Sequence, residues 1–269
     1  QLSWWRRLLL PCAGGLLVGL IVTRLAPEVK GSGIPEVMEA VALHGGNIRK
    51  RVGLVKALAV AVCLGSGGSA GREGPVAQVG AGFGSYLADL LRLGYHDRRV
   101  LVISGVAAGI GGMFRAPLGA ALFAVEVLYS DPDFESEALI PAIISSIVSY
   151  VVVASFTGWN AIFHTVDIRF ARPRELVAYL VLGMVVAIVG VIYVRVFYGM
   201  RDGVFGRMPI PNWTKPAVGG LLLALLAMAV PQVLGGGYGW LQLTIDEQLP
   251  LKILLCLLPA KILATSLTI

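Results

Sequence analysis

The segment Gly65-Ser-Gly-Gly-Ser-Ala-Gly-Arg-Glu-Gly-Pro75 constrains the chain most, because it sets a charged pair, Arg72 and Glu73, inside a glycine-rich break between two apolar stretches. Leu54 to Leu64 precedes the break and Val76 to Leu93 follows it. A charge near the bilayer centre costs about 2.5–3.5 kcal/mol on insertion scales and commonly marks an ion or proton path. Irregular backbone at that depth is tolerated only inside protein or along a cavity. The break therefore predicts a protein-lined path for ions.

A membrane setting follows from composition. The 269 residues are 57% hydrophobic and 14% charged, against about 25% charged in an average soluble domain. Apolar runs cover Leu8–Leu25, Gly53–Leu64, Val76–Leu93, Val100–Tyr129, Ala138–Phe156, Leu176–Phe197, Pro216–Val230 and Leu251–Ile269. Several fall short of the roughly 20 residues of a straight span, and others carry Gly or Pro. The expectation is an all-α polytopic membrane protein with tilted, short and broken helices. The net charge of +6 sits mostly in connections, at Arg6 and Arg7, Arg49 to Arg51, Arg98 and Arg99, and Arg201 and Arg207. This reads as positive-inside bias and contact with lipid headgroups rather than a nucleic-acid surface. Cys12, Cys63 and Cys256 lie in apolar runs without metal-ligand spacing and read as small buried hydrophobes, so neither a metal nor a cofactor is expected.

The chain partly repeats itself at an offset of about 205 residues. Pro11-Cys-Ala-Gly-Gly-Leu-Leu-Val-Gly-Leu20 matches Pro216-Ala-Val-Gly-Gly-Leu-Leu-Leu-Ala-Leu225. Ala26 to Ile34 matches Val230 to Tyr238, and the run from Lys56 matches that from Lys261. Two homologous halves are expected, residues 1–172 and 173–269. The second copy reaches the counterpart of the charged break only after Ile269, so this reading takes the second half as truncated.

Two segments repeat one construction. In Gly31-Ser-Gly-Ile-Pro35 a proline opens a helix behind two glycines. Proline suits the first helical position, and a helix N-terminus offers free N–H donors and partial positive charge to an anion. Ser32 adds a hydroxyl, unless it merely caps the helix. Gly71-Arg-Glu-Gly-Pro75 has the same form, but a carboxylate, Glu73, stands where an anion would sit. Protonation of Glu73 would loosen that carboxylate and free the site, making it both gate and proton carrier.

These segments resemble the first two selectivity-filter segments of the CLC family of chloride channels and proton/chloride antiporters. Gly105 to Glu126, with Phe114-Arg-Ala-Pro117 where the family usually has Phe-Asn-Ala-Pro, is similar too. The resemblance implies an inverted repeat, a homodimer with one pore per subunit, and residence in a prokaryotic plasma membrane. It implies chloride, with protons, as the substrate, membrane lipids as surroundings, and no catalytic residue. It assigns the anion to Ser32, Gly33 and Ile34, the filter frame to Gly31, Pro35, Gly71, Arg72, Gly74 and Pro75, and gating with proton transfer to Glu73. The family's first-half share of the dimer contact would fall on Ala138 to Phe156 and the start of the next apolar run. Ser32 resembles the chloride branch rather than the nitrate pattern, which has proline there. At the internal proton position of the antiporters this chain has Val127, with Glu126 as the neighbouring candidate for proton entry. The family's third filter segment and its anion-binding tyrosine would fall past Ile269.

Alternatives of other kinds have sequence motives as well. Val127 favours an uncoupled, channel-like conductor. The position of Ile269 motivates a non-transporting fragment. Gly67-Gly-Ser-Ala-Gly71 has the form of a serine-hydrolase elbow, but His44, His96 and His164 lie in polar connections. Arg115 either draws anions to an entrance or caps a helix end. Lys56 pairs with a helix C-terminus or faces water. Gly235-Gly-Gly-Tyr-Gly239, the counterpart of the Ser32 loop, has no hydroxyl and is expected to serve close backbone approach.

Overall fold

The computed structural model describes residues 4–128, 136–165 and 172–269, and among them the only regular structure is helical. The helices are α1 (Trp4–Leu25), α2 (Ile34–His44), α3 (Arg51–Gly65), α4 (Glu73–Leu90), α5 (Tyr95–Phe114), α6 (Pro117–Val127), α7 (Ser136–Thr157), α8 (Glu175–Tyr198), α9 (Lys215–Ala229), α10 (Tyr238–Ile245) and α11 (Leu251–Thr268). Helices within Trp5–Leu25, Glu137–Thr157, Glu175–Phe205 and Leu251–Thr268 are long and apolar enough to cross a membrane, and α6 and α9 are shorter apolar helices. The long run from Val100 is cut at Arg115, whose left-handed backbone (φ 57°) ends α5 before Pro117 opens α6. By contrast, α1 and α11 continue through Pro11 and Pro259. Local adjustment within a membrane protein re-satisfies the backbone groups that such prolines release. The acidic stretch from Asp131 lies mostly outside the described residues, as does most of the polar connection before Glu175.

The chain divides into two compact units. The first comprises residues 17–63 and 71–162. Its core gathers Val37 and Val41 of α2, Val52 of α3, Val102, Ile103 and Val106 of α5, and Ala121 and Val125 of α6. Helices in lipid gain little hydrophobic energy from pairing, so close packing at small residues holds them. Here α4 and α5 meet backbone to backbone. A Cβ on Gly80 would lie 2.1 Å from the Gly105 carbonyl oxygen, and one on Gly105 would lie 2.1 Å from that of Gly80. One turn away, Gly84 meets the Leu101 carbonyl in the same way. On its other side α5 sets Gly111 and Gly112 against Ser146 and Ser149 of α7.

The second unit comprises residues 1–16, 64–70 and 163–269, with Leu223, Ala227, Val233, Ala260 and Ala264 at its centre. Its most informative contact is reciprocal. Gly15 abuts the carbonyl of Pro216, and Gly220 abuts the carbonyl of Pro11. Because Pro11 matches Pro216 and Gly15 matches Gly220 in the sequence repeat, each copy presents the same patch to the other, as a local two-fold relation requires. The elements repeat too: α1, a 3₁₀ turn at Pro27–Val29, α2 and α3 correspond to α9, a 3₁₀ turn at Pro231–Val233, α10 and α11. Helix α8 buries none of its residues.

Candidate functional site

The Ser32 loop is built by two left-handed glycines. Gly31 has φ +74° and Gly33 φ +107°, a region that L side chains rarely adopt. Gly33, not Ser32, is the N-cap of α2, and no side chain caps that helix. Ser32 is thus not spent as a cap, and its N–H and hydroxyl make no hydrogen bond among the described residues. Ile34 and Pro35 form the first turn of α2. Its carboxylate Glu36 lies over Gly31, where an added Cβ would come 3.1 Å from Oε1.

The loop is held from behind by a residue the sequence left ambiguous. Lys56 neither faces water nor sits at the surface; it is 2% exposed. Its Nζ donates to the Val29 carbonyl at 3.0 Å and to the Gly31 carbonyl at 2.8 Å. Gln78 of α4 adds a bond from Nε2 to the Glu28 carbonyl at 3.2 Å. Glu28 itself is tied to Arg49. Burial raises the Glu28 pKa, but the hydrogen bond and charge of Arg49 outweigh it and hold the carboxyl below its ordinary 4.5.

The second motif meets the first. Gly74 packs on the backbone of Ser32, so that a Cβ there would lie 2.3 Å from the Ser32 carbonyl oxygen. A Cβ on Gly33 would lie 2.8 Å from the Gly74 carbonyl oxygen. Segments some 40 residues apart are thus joined glycine to backbone. Glu73 opens α4, where the helix dipole favours a negative charge. Its carboxylate folds back over Gly71, because a Cβ there would fall 1.9 Å from Oε2. Of the residues picked out in the sequence, Gly31 to Pro35 and Gly71 to Pro75 therefore converge at one place.

Beside this junction a cavity of about 690 Å³ is lined by Arg72, Val76, Gly109, Arg115, Ser149 and Thr157, among others. Arg115 does cap α5, and its guanidinium also reaches α7, with Nη2 donating to Thr157 Oγ1 at 3.0 Å. Glu126 is not gathered at the junction. It is exposed in the last turn of α6, while Val127 packs against the core. In the second unit Lys261 grips its loop as Lys56 does, donating to Val233 at 2.9 Å and Gly235 at 2.7 Å. Gly237, in the left-handed region, caps α10 as Gly33 caps α2.

Two smaller expectations need correction or detail. Cys256 is exposed and Cys12 and Cys63 are only half-buried, because apolar runs in this fold turn much of their surface outward. Ser69 is fully buried, and its Oγ has no hydrogen-bond partner among the described residues. An activated serine needs a base within about 2.6–3.2 Å; His164 instead pairs through its backbone with Gln242.

The fold and these motifs define an integral, multi-pass membrane protein built on a repeat of short and broken helices. The profile of the voltage gated chloride channel family matches residues 14–269, and the chain belongs to that family, the CLC family. A chloride channel protein from Ralstonia nicotianae described as ClcB-like is 34% identical over 241 residues, which is 88% of this chain and 56% of that protein. The H(+)/Cl(−) exchange transporter ClcA of Yersinia pestis is 32% identical over 250 residues, 91% of this chain and 52% of that protein. The chain thus spans little more than half the length of these relatives. In fold it is similar to a slow cyanobacterial Cl⁻/H⁺ antiporter, with a TM-score of 0.86 and 23% identity over 99% of this chain and 63% of that one. A CLC-type fluoride/proton antiporter gives a TM-score of 0.83 with 24% identity over 97% of this chain and 66% of the other.

Proposed function

We propose that this protein carries chloride across the membrane, that the Ser32 loop holds the anion, and that Glu73 is a protonatable gate over the same site. The observation that carries this reading is the contact of Gly74 with the backbone of Ser32. It places the residue after the gate directly on the loop that offers hydroxyl and N–H donors. Ser32, with the backbone of Gly33 and Ile34, supplies dipoles rather than a full charge, so that binding stays weak enough for release. The Glu73 carboxylate competes with the anion for the positive end of α4, and protonation withdraws that competition. Arg72 and Arg115 line the neighbouring cavity and favour anions in it.

Proton/chloride exchange is the reading that a protonatable gate favours, and an exchange transporter stands among the relatives. The second reading, an uncoupled conductor, is favoured by Val127, which carries no proton and packs into the core. A homodimer through α6 and α7 agrees with their exposed apolar side chains, among them Leu118, Leu122, Ile144 and Val148. The division into homologous halves at about residue 172 rests on the repeat.

The test is to reconstitute the purified protein in liposomes under an outward chloride gradient and to record chloride efflux with external pH. Proton uptake driven uphill by chloride means exchange. Chloride efflux without proton movement means the uncoupled reading. Absence of chloride flux above empty liposomes refutes both.

A further inference from the structure

An ammonium drawn out of water inside an apolar helix is costly unless its partners are well placed, yet this chain carries one at the same place in each repeat, buried at Lys56 and half-buried at Lys261. Lys56 on α3 and Lys261 on α11 each donate to two carbonyls of the loop that precedes the short second helix of their repeat. The carbonyls correspond as well: Val29 and Gly31 in one copy, Val233 and Gly235 in the other. Four bonds at 2.7–3.0 Å on matched atoms make the grip a designed feature of the loop.

The consequence follows from peptide geometry. In a trans peptide the C=O and the following N–H point in opposite directions, and no cis bond occurs among the described residues. When Lys56 draws the Gly31 carbonyl toward itself, the N–H of Ser32 must face away from the lysine. Ser32 presents two donors without partners among the described residues, its N–H and its hydroxyl. Gly31 and Gly33 leave the peptide planes on either side free to rotate. Something outside the loop must fix which way the Ser32 N–H points, and Lys56 is placed to do so. Lys261 fixes the Gly236 peptide in the same sense, but no hydroxyl stands there.

We infer that Lys56 is a positioning residue for anion selectivity: it orients the Gly31–Ser32 peptide so that the Ser32 N–H and hydroxyl face the anion together, whereas its twin Lys261 holds a loop that does not read the anion. This rests on the assignment of the anion to Ser32.

The experiment measures the ratio of chloride to nitrate flux in liposomes for the wild type and for Ser32→Ala, Lys56→Met, Lys56→Arg and Lys261→Met. The ratio is the chosen readout because a residue that only supports the fold lowers both fluxes together. Lys56→Met is expected to lower the ratio by roughly fivefold, the effect of one mis-set hydrogen bond. Lys56→Arg keeps the charge but replaces a compact ammonium with a larger planar fork, and is expected to lower the ratio less than Lys56→Met. Lys261→Met is expected to leave it unchanged. Should Lys56→Met fail to fold, Lys56→Gln, which is neutral and too short to reach both carbonyls, is expected to lower the ratio by about threefold. A wild-type ratio in Lys56→Met, or in Lys56→Gln where Met does not fold, overturns the inference. If Ser32→Ala itself leaves the ratio unchanged, the anion assignment fails instead; if Ser32→Ala shifts it and the Lys56 variants do not, only the positioning role fails.

Discussion

Gly74→Ala is the sharpest perturbation of the junction between the two motifs. The new Cβ would sit 2.3 Å from the Ser32 carbonyl oxygen and 3.0 Å from its carbonyl carbon. Ordinary contact begins near 3.4 Å, so the Ser32 loop and the start of α4 must part by about 1 Å. Neither side yields easily, since the obstacle is backbone and the loop is held from behind by Lys56. Overpacking of this kind costs ~1–3 kcal/mol, and a misplacement of about 1 Å at a reacting or binding centre lowers rates by roughly 10²-fold. Chloride efflux from liposomes, normalised to folded protein, is expected to fall by about two orders of magnitude. Gly190→Ala on α8 is the control, because an added Cβ there meets nothing within 4 Å, and its flux should match wild type. A Gly74→Ala protein that keeps its flux within a few-fold of wild type would refute the argument that this contact sets the site.

Other consequences follow from neighbouring contacts. Gly105→Ala would drive a methyl to 2.1 Å from the Gly80 carbonyl oxygen, and separating α4 from α5 should lower the thermal midpoint in detergent by an amount corresponding to ~1–3 kcal/mol. Arg115→Asn removes a guanidinium from the cavity wall; chloride flux should weaken more at low than at saturating chloride, and the difference should shrink as an inert salt screens the cavity. The Glu28–Arg49 pair gives a pH dependence of stability. The carboxyl is held below its ordinary value in the fold, so its contribution is present above pH 4.5 and is lost as pH falls through the lowered pKa. Arg49→Met should therefore lower the thermal midpoint slightly at pH 7, within the ~0–1 kcal/mol of a partly exposed pair, and the difference from wild type should shrink as pH falls through the lowered pKa.

Much of the architecture was legible because proline and glycine punctuate this chain. Pro35, Pro75, Pro117 and Pro216 each fall in the first turn of a helix, where proline fits without loss of a bond. The repeat was visible as matched letters, and the reciprocal contact of Gly15 with Pro216 and Gly220 with Pro11 gave it physical form. Lys56 was not legible from its own surroundings: one charge in an apolar run reads equally as surface or as cap. Its alignment with Lys261 was the available signal, since a cation kept at one register in both copies implies a shared partner. The contact of Gly74 with Ser32 was also hidden, because glycine permits a close approach without naming what approaches. The outward face of Cys256 and the bare surface of α8 were missed for a different reason: in a membrane chain, apolar character does not distinguish core from lipid-facing positions. Glu126 illustrates the same limit, being adjacent in sequence to Val127 yet on the opposite side of its helix from the packed core.

The most direct test of Glu73 as a protonatable gate is chloride efflux as a function of external pH in the wild type and in Glu73→Gln. The account predicts that wild-type flux rises as pH falls, while the Gln variant, permanently neutral, keeps anion flux but loses both the pH dependence and any coupled proton movement. A Glu73→Gln protein whose flux follows pH as the wild type does would contradict it.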